Sequence, residues 1–304
     1  MTGGMRMSAP DRASTEGGED GRRVVSAYGV AMPRIIYGTA WKKERTASLV
    51  EMALRAGFRG IDTACQPKHY HEPGVGEGLA APLREGLRRS DIYLQTKFTS
   101  FQGQDPDTVP YDPKAGLAEQ VRQSFKASLR NLRTDYLDGL VLHSPYPDDK
   151  DTLEVWRAME GLHEQGLVRQ LGISNCYELG RLERLCGQAR FKPALIQNRF
   201  HAKTRYDRDI RVFCGNKGIL YQSFWTLTAN PEILAQPALV EIAEKHGRSP
   251  AQVFFRFLTQ KNIVCLTGTS SREHMAQDLA IFEFRLSPAE CTVLDALLDG
   301  AGQS

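Results

Sequence analysis

The sequence predicts a single (β/α)8 barrel, and two observations support that prediction. Eight short β-rich runs alternate with longer amphipathic helical patterns along the 304 residues, and such alternation is typical of parallel α/β folds. No G-x-G-x-x-G motif follows any early strand, which argues against the open doubly wound sheet that binds dinucleotides. The glycine-dense segment 74–78 lacks the third glycine at the required place, and we interpret it as the start of the second helix.

The eight predicted strands are continuous apolar runs rather than strictly alternating ones. Such runs are expected of strands that are buried on both faces. In chain order we predict strands at residues 34–39, 60–64, 92–97, 136–143, 168–174, 194–197, 219–224 and 263–267.

A helical segment follows each predicted strand, and two further helices are predicted near the C-terminal end. The clearest helix lies between the third and fourth strands, where apolar residues such as Leu117 and Val121 recur at helical spacing. Asp-Pro at 112–113 is a helix start signal, and the Ser-Pro pairs at 249–250 and 287–288 open capping boxes. The helices are predicted at 44–56, 75–88, 114–132, 151–165, 176–188, 205–217, 250–260 and 272–281, with the additional pair at 237–247 and 287–299.

Composition and charge exclude several classes of protein. Apolar residues make up 41% of the chain and charged residues 25%, which is ordinary for a globular domain and excludes collagen-like or wholly disordered chains. The net charge is +3 and no basic cluster is present, so neither nucleic acid nor an anionic membrane surface is expected as a partner. No apolar run approaches the ~18 residues of a transmembrane helix. We expect a monomer or a weak homo-oligomer.

The N-terminal segment is predicted to differ from the rest of the chain. Residues 1–28 are interpreted as a disordered tail and residues 29–304 as the barrel domain, because the first 23 residues are polar and lack helical or strand periodicity. They also lack the apolar core of a secretory signal. We therefore expect deletion of residues 1–23 to leave folding and activity nearly unchanged.

Cysteine usage indicates the redox compartment. Six cysteines are scattered without a C-x-x-C motif in a chain long enough to bury a large core. This pattern predicts reduced, mostly buried thiols and a cytoplasmic location.

Polar residues at the C-terminal ends of the predicted strands mark the candidate active site, since (β/α)8 barrels place their sites there. The second, third and fourth strands end in Asp62, Lys97 and His143, and Tyr70 lies in the loop after the second strand. A phenol has a pKa of ~10, too high for ready proton donation near neutrality. A neighbouring ammonium lowers that pKa and a carboxylate can anchor the ammonium, so Asp, Lys and Tyr form a coherent proton-delivery device. The histidine can orient a carbonyl group or tune the phenol.

The order and spacing of several motifs between residues 38 and 284 make the sequence similar to the aldo-keto reductase superfamily. The motifs are Gly38-Thr39-Ala40-Trp41-Lys42, Ile61-Asp62-Thr63-Ala64, Thr96-Lys97, Asp135-Tyr136-Leu137-Asp138, Gly166-Leu167-Val168-Arg169, Gly172-Ile173-Ser174-Asn175, Lys192-Pro193-Ala194-Leu195-Ile196-Gln197 and Ser249-Pro250-Ala251-Gln252-Val253.

The resemblance implies an NAD(P)H-dependent reductase that converts an aldehyde or ketone to an alcohol, with a catalytic tetrad of Asp62, Tyr70, Lys97 and His143. It implies a nicotinamide cofactor, NADPH before NADH, and a small carbonyl compound as substrate. The expected cofactor-binding residues are Gly38, Thr39, Ser174, Asn175, Gln197, Phe224, Trp225, Thr267, Thr269, Ser270, Ser271, Arg272 and Asp278. The expected substrate pocket comprises Trp41, Phe98, Phe101, Tyr146 and Trp225.

One departure from the family pattern concerns the catalytic tyrosine. The family usually places it about five residues after the aspartate, whereas Asp62 and Tyr70 are eight positions apart. Tyr70 is the only tyrosine in this loop, so an inserted loop explains the spacing, with His69 or His71 as the alternative acid. No metal is expected, because neighbouring loop residues rarely converge on one ion.

A second departure concerns the phosphate groups of the cofactor. After the eighth strand the family often carries a lysine, and later an arginine, that contact the adenosine phosphate. The lysine position is Gly268 here and the arginine position is His274. Arg272 and the N-terminus of the following helix remain as candidates for binding this anion, and NADPH stays the favoured cofactor.

Two other functions compete with a carbonyl reductase. One is a non-catalytic nicotinamide-binding regulatory subunit on the same barrel, against which the complete tetrad argues. The other is an unrelated barrel enzyme, such as a lyase or an isomerase. Cofactor binding and turnover together discriminate among the three.

Overall fold

The computed structural model describes residues 21–301, and these residues form ten strands and eleven α-helices. The strands are β1 (Arg23–Val25), β2 (Ala31–Pro33), β3 (Ile35–Gly38), β4 (Gly60–Asp62), β5 (Tyr93–Phe98), β6 (Gly139–Leu142), β7 (Leu171–Ser174), β8 (Leu195–Arg199), β9 (Leu220–Phe224) and β10 (Ile263–Thr267). The helices are α1 (Thr46–Ala56), α2 (Glu72–Arg84), α3 (Leu117–Leu132), α4 (Asp149–Glu164), α5 (Leu179–Gln188), α6 (Arg208–Lys217), α7 (Pro231–Leu234), α8 (Pro237–His246), α9 (Pro250–Gln260), α10 (Arg272–Leu279) and α11 (Pro288–Ala301).

Strands β3 to β10 close into a parallel barrel in chain order, with β10 paired to β3. All eight predicted strands are confirmed, and so is the (β/α)8 fold. The fourth predicted strand is shorter than expected, because only Gly139–Leu142 joins the ladder and the segment before it makes a single bridge from Leu137 to Val168. The C-terminal ends of the eight strands therefore meet at one rim of the barrel.

The ten predicted helices are also confirmed, with small differences at their ends. The capping box at the start of α9 is present: Ser249 Oγ accepts from the Gln252 backbone N–H, and Gln252 Oε1 accepts from that of Ser249. The start signal at Asp112 is wrong, because this side chain caps a turn by accepting from the Lys114 N–H and α3 begins only at Leu117. The short helix α7 was not predicted.

The glycine-dense segment forms the first turns of α2, as expected, and it allows α2 to pack closely against its neighbours. A Cβ atom at Gly78 would lie 2.5 Å from the carbonyl oxygen of Ala47 on α1, and one at Gly76 would collide with the carbonyl oxygen of Asn131 on α3. Only glycine permits this backbone approach. The segment is therefore a helix-packing feature and not a phosphate-binding loop.

The boundary of the predicted N-terminal tail requires correction. Residues Arg23–Val25 are not disordered but form β1, which pairs antiparallel with Ala31–Pro33. Val24 and Met32 from this hairpin are buried against residues of the barrel interior such as Tyr93 and Leu195. Apolar packing against the barrel holds the hairpin in place. Each of its strands has only three residues, which is too few to show an alternating apolar pattern in the sequence. A deletion of residues 1–23 would remove the start of β1. Residues 1–20 of the predicted tail lie outside the described range.

Two further sequence expectations bear on the chemistry of the chain. All six cysteines fall within the described residues, where they are free thiols, and five of them are buried. Across residues 21–301, no helix has the length and apolarity needed to cross a membrane.

Candidate active site

A cleft of about 1120 Å³ opens at the C-terminal ends of the barrel strands. Most of the predicted functional residues line it, although they lie on six different strands, in the loops after the barrel strands and on α10. The predicted residues that line the cleft are Gly38, Trp41, Asp62, Tyr70, His143, Ser174, Asn175, Gln197, Phe224, Trp225, Thr267, Thr269 and Asp278.

A buried ion pair lies beneath the cleft, which Asp62 lines and Lys97 does not. Lys97 Nζ lies 2.7 Å from each oxygen of the Asp62 carboxylate and donates to the backbone oxygen of Thr63 at 2.9 Å. Both side chains are almost fully buried, at 2% exposure. Burial lowers the pKa of Lys97 and the Asp62 carboxylate opposes that shift. The pair is thus a fixed, nearly neutral unit, as the arrangement on neighbouring strand ends predicted.

Two glutamine side chains inside the barrel hold the carboxylate of this pair, and a third glutamine links those two. Gln95 and Gln197 donate to Asp62 Oδ1 at 2.6 and 3.0 Å. Both also donate to Gln222 Oε1, at 2.9 and 2.8 Å. These amide donors leave the carboxylate well hydrogen-bonded, so its position does not depend on Lys97 alone. Sequence reasoning missed Gln95 and Gln222, although Gln95 shares the inward face of its strand with Lys97, two residues on.

The inserted loop after β4 folds so that Tyr70 reaches the ion pair despite the long spacing. The Tyr70 and His69 backbone N–H groups both donate to the carbonyl of Gln66, which makes the loop compact. The Gln66 side chain anchors the loop by donating to the backbone oxygen of Gly103 at 2.5 Å. As a result, Lys97 Nζ lies 5.2 Å from the centroid of the Tyr70 ring.

The protonation of Tyr70 differs from the sequence expectation. Burial, and to a lesser extent the Asp62 carboxylate, raise the pKa of the Tyr70 phenol well above its usual value. The Lys97 ammonium lies near the ring but is shared with the Asp62 carboxylate in a bidentate contact, so it does not offset the effect of burial. The phenol therefore keeps its proton at neutral pH, which is the state that a proton donor must have.

His143 stands opposite Tyr70 as a neutral imidazole. The two rings meet edge to face with centroids 6.0 Å apart, and His143 Nδ1 is 2.6 Å from the hydroxyl oxygen of Thr99. Burial and then Lys97 lower the pKa of His143 to about 3. When the Thr99 hydroxyl donates to Nδ1, the proton of the neutral ring is on Nε2, and the ring can donate a hydrogen bond into the cleft.

This depressed pKa predicts that His143 does not titrate between pH 5 and 8. The folded-state pKa of about 3 lies below the unfolded value of ~6.5, so the unfolded state binds a proton first as the pH falls. The neutral His143 therefore favours the folded state fully above the unfolded pKa. Its contribution to the free energy of unfolding is lost as the pH falls towards the folded pKa. NMR titration of the ring, assigned by comparison with a His143→Gln variant, should show constant shifts across this range. An inflection near pH 6 to 7 would contradict the neutral assignment.

Three amide or hydroxyl side chains form a connected group beside His143. Ser174 Oγ donates to the backbone oxygen of Gln197 at 2.6 Å, and Asn175 Nδ2 donates to that of His143 at 2.9 Å. Asn175 has a left-handed backbone, with φ 53°, and Tyr177 donates to its Oδ1 at 3.1 Å. Amide donors and acceptors held in fixed positions can bind a planar carboxamide.

Aromatic side chains and an arginine form the next wall of the cleft. Phe224 ends β9, and Trp225 follows it with a left-handed backbone, φ 55°, and an exposed indole. The guanidinium of Arg199 stacks on the Trp225 ring at 4.3 Å, and its buried Nε has no hydrogen-bond partner among the described residues. The wall thus offers flat apolar surface beside a positive charge.

Several predicted site residues lie away from the cleft. Phe98 is buried against Tyr111, because it follows the inward-facing Lys97 and so points out of the barrel. Tyr146 is also buried, and Phe101 is exposed on a loop outside the cleft lining. Thr39 is fully buried and donates to the backbone oxygen of Asp62, so it supports the rim structurally.

The loop after β10 also differs in part from the prediction. Thr267 and Thr269 line the cleft, whereas Ser270, Ser271 and Arg272 do not. Ser271 instead caps α10 by accepting from the backbone N–H of His274.

The cleft also contains residues that sequence reasoning did not select for this role. Lys42, Gln66, Arg199 and Gln277 are the main polar ones. His69 also lines the cleft and was considered only as the alternative acid, and His274 only as a departure from the family pattern. Arg199 follows Gln197 by two positions on β8, so strand alternation could have identified it. No group of three or more potential metal ligands occurs among residues 21–301.

Comparison with known proteins identifies relatives over almost the whole chain. The sequence profile of the aldo/keto reductase family matches residues 28–299. Glyoxal reductase of Bacillus subtilis is 32% identical over 82% of this chain and 82% of its own length. An aldo-keto reductase of Mycolicibacterium smegmatis is 31% identical over 91% of this chain and 94% of its own. The crystal structure of an aldo/keto reductase from Brucella melitensis superimposes with a TM-score of 0.78 at 30% identity, covering 90% of this chain and 98% of the other.

Proposed function

The chain belongs to the aldo-keto reductase family of oxidoreductases, and from that premise we propose that it reduces an aldehyde or ketone with NADPH, using Tyr70 as the general acid. The observation that supports this most directly is the juxtaposition of a protonated Tyr70, a neutral His143 and the Asp62–Lys97 pair at one end of a single cleft.

The cleft fits a nicotinamide dinucleotide in size and chemistry. Its volume of about 1120 Å³ exceeds the ~300–1,000 Å³ typical of pockets for small ligands, which suits an elongated molecule. Ser174, Asn175 and Gln197 offer amide and hydroxyl groups for the carboxamide, and Phe224 offers a flat face for the ring. Thr269, in the loop before α10, and Asp278, in the last turn of α10, also line the cleft. A reduced nicotinamide, when bound, supplies the hydride for carbonyl reduction.

The chain's own residues would then handle the proton and the orientation of the substrate. Tyr70 donates its proton to the carbonyl oxygen as negative charge develops there, and His143 Nε2 positions that oxygen by a second hydrogen bond. The Lys97 ammonium, 5.2 Å from the Tyr70 ring centroid, stabilises the phenolate once the proton has left. Asp62 and its glutamine donors keep Lys97 in place.

Calorimetric titration with NADPH and NADH, followed by turnover assays on aldehydes and ketones, tests this proposal. Glyoxal is a rational first substrate, because the Bacillus subtilis relative is named as a glyoxal reductase. We expect binding of NADPH and its oxidation in the presence of a carbonyl compound. Binding without turnover across the panel would favour a regulatory nicotinamide-binding subunit, and the absence of binding would contradict the proposal altogether.

A further inference from the structure

The resemblance to the aldo-keto reductases implies a lysine at position 268 that contacts the adenosine phosphate, and this chain has Gly268 there. A lysine from another part of the chain reaches the same place. Lys42, in the loop after β3, donates from Nζ to the backbone oxygen of Gly268. Its Nζ lies 3.7 Å from the position that a Cβ atom at residue 268 would have. The ammonium of Lys42 therefore lies where a side chain at position 268 would begin.

Within the described part of the chain, no carboxylate pairs with the ammonium of Lys42. Across residues 21–301, its ammonium is hydrogen-bonded only to a neutral carbonyl, and Arg45 is the charged group that influences it. The side chain is partly buried and lines the cleft. A partly buried ammonium without a carboxylate partner is costly, so an anion that binds beside it gains a charge-assisted interaction.

The residues around Lys42 indicate which end of the cleft this is. Gly268, Thr269 and His274 line the cleft on the same side, next to α10, an eight-residue helix capped by Ser271. Asp62 and Tyr70 line the same cleft, so one elongated ligand can reach both regions. Arg272, which the sequence suggested for the phosphate, is exposed and outside the cleft lining.

We propose that Lys42 binds the 2′-phosphate of NADPH in place of the missing lysine at position 268, and that it is the main source of preference for NADPH over NADH. The proposal rests on the proposed function, because it assumes that a nicotinamide dinucleotide occupies this cleft. In this proposal the phosphate contact comes from the loop after β3 and not from the loop after β10.

Calorimetric titration of the full-length protein and its variants with NADPH, NADH and 2′,5′-ADP tests the proposal. Lys42→Met should weaken NADPH and 2′,5′-ADP about tenfold or more and change NADH affinity by less than about twofold. Lys42→Arg keeps the charge and should retain most of the NADPH affinity. Lys43→Met removes the same charge one residue later, outside this cleft, and should change little, as should Arg272→Ala.

A rescue variant separates loss of the contact from damage to the loop. A side chain at position 268 has room, because the nearest backbone atom to its Cβ would be at 3.6 Å. Lys42→Met/Gly268→Lys should therefore regain NADPH affinity. Unchanged NADPH affinity in Lys42→Met, or equal losses for NADPH and NADH, would overturn the assignment while leaving the proposed function intact. A wild-type protein that binds neither cofactor would overturn the proposed function and, with it, the assignment of Lys42.

Discussion

Replacing Tyr70 with phenylalanine should lower kcat by at least about 100-fold while changing NADPH affinity less than about twofold, because a positioned general acid is worth ~10²–10⁴ in rate. The substitution removes only a hydroxyl, and that hydroxyl makes no hydrogen bond to any of residues 21–301. The ring can keep its contacts with His143 and Lys97. Steady-state kinetics and calorimetry on the same preparation measure both quantities.

The controls for this result are the two histidines that flank Tyr70. His69 lines the cleft, its ring centroid lies 4.0 Å from that of Trp41 in a tilted arrangement, and its Nδ1 is 3.0 Å from Gln66 Oε1. His71 lies outside this cleft, directly before α2. Each alanine variant should have a mild effect on kcat. Near-full turnover in Tyr70→Phe together with loss of activity in His69→Ala would show that the inserted loop presents the histidine as the acid.

Replacing Lys97 with methionine should have the largest effect on stability as well as a severe effect on turnover. It leaves the Asp62 carboxylate buried without its counter-ion, and breaking a buried ion pair in this way typically costs about 3–5 kcal/mol. Urea denaturation should show that loss in the free energy of unfolding. By contrast, Arg55→Met, which breaks the solvent-exposed pairs with Glu51 and Glu85, should change stability little.

A double variant separates the structural role of the pair from its role in catalysis. Asp62→Asn/Lys97→Met removes both charges, and the amide can still accept from Gln95 and Gln197. Its stability should recover towards that of the wild type, whereas its kcat should remain low because no ammonium stabilises the phenolate. Recovery of both stability and turnover would mean that the pair serves only the fold.

The barrel could be predicted from sequence because its elements carry local signals. The strands are apolar runs bounded by turns. Helices such as α9 begin with the capping boxes that the sequence predicts. The β1–β2 hairpin could not be predicted in this way. Its strands are three residues long, and burial of Val24 and Met32 against the barrel interior, not local propensity, defines them.

The site was predictable where it depends on strand ends and not where it depends on loops. Asp62, Lys97 and His143 converge because parallel strands end at one rim. Applying the same strand alternation to β5 would have placed Gln95 inside the barrel and Phe98 outside it. The position of Lys42 follows from a loop in which Trp41 and Lys43 have left-handed backbones, and no sequence pattern anticipates its contact with Gly268.

A crystal structure of the protein with NADP⁺ tests most directly whether this cleft binds and orients a nicotinamide cofactor for reduction. We expect the carboxamide to lie within hydrogen-bond distance of Asn175 and Gln197, the nicotinamide ring to lie against Phe224, and its opposite face to be open towards Tyr70 and His143. A complex in which the nicotinamide lies elsewhere, or in which the adenosine end occupies the region around Tyr70, would contradict the proposed function.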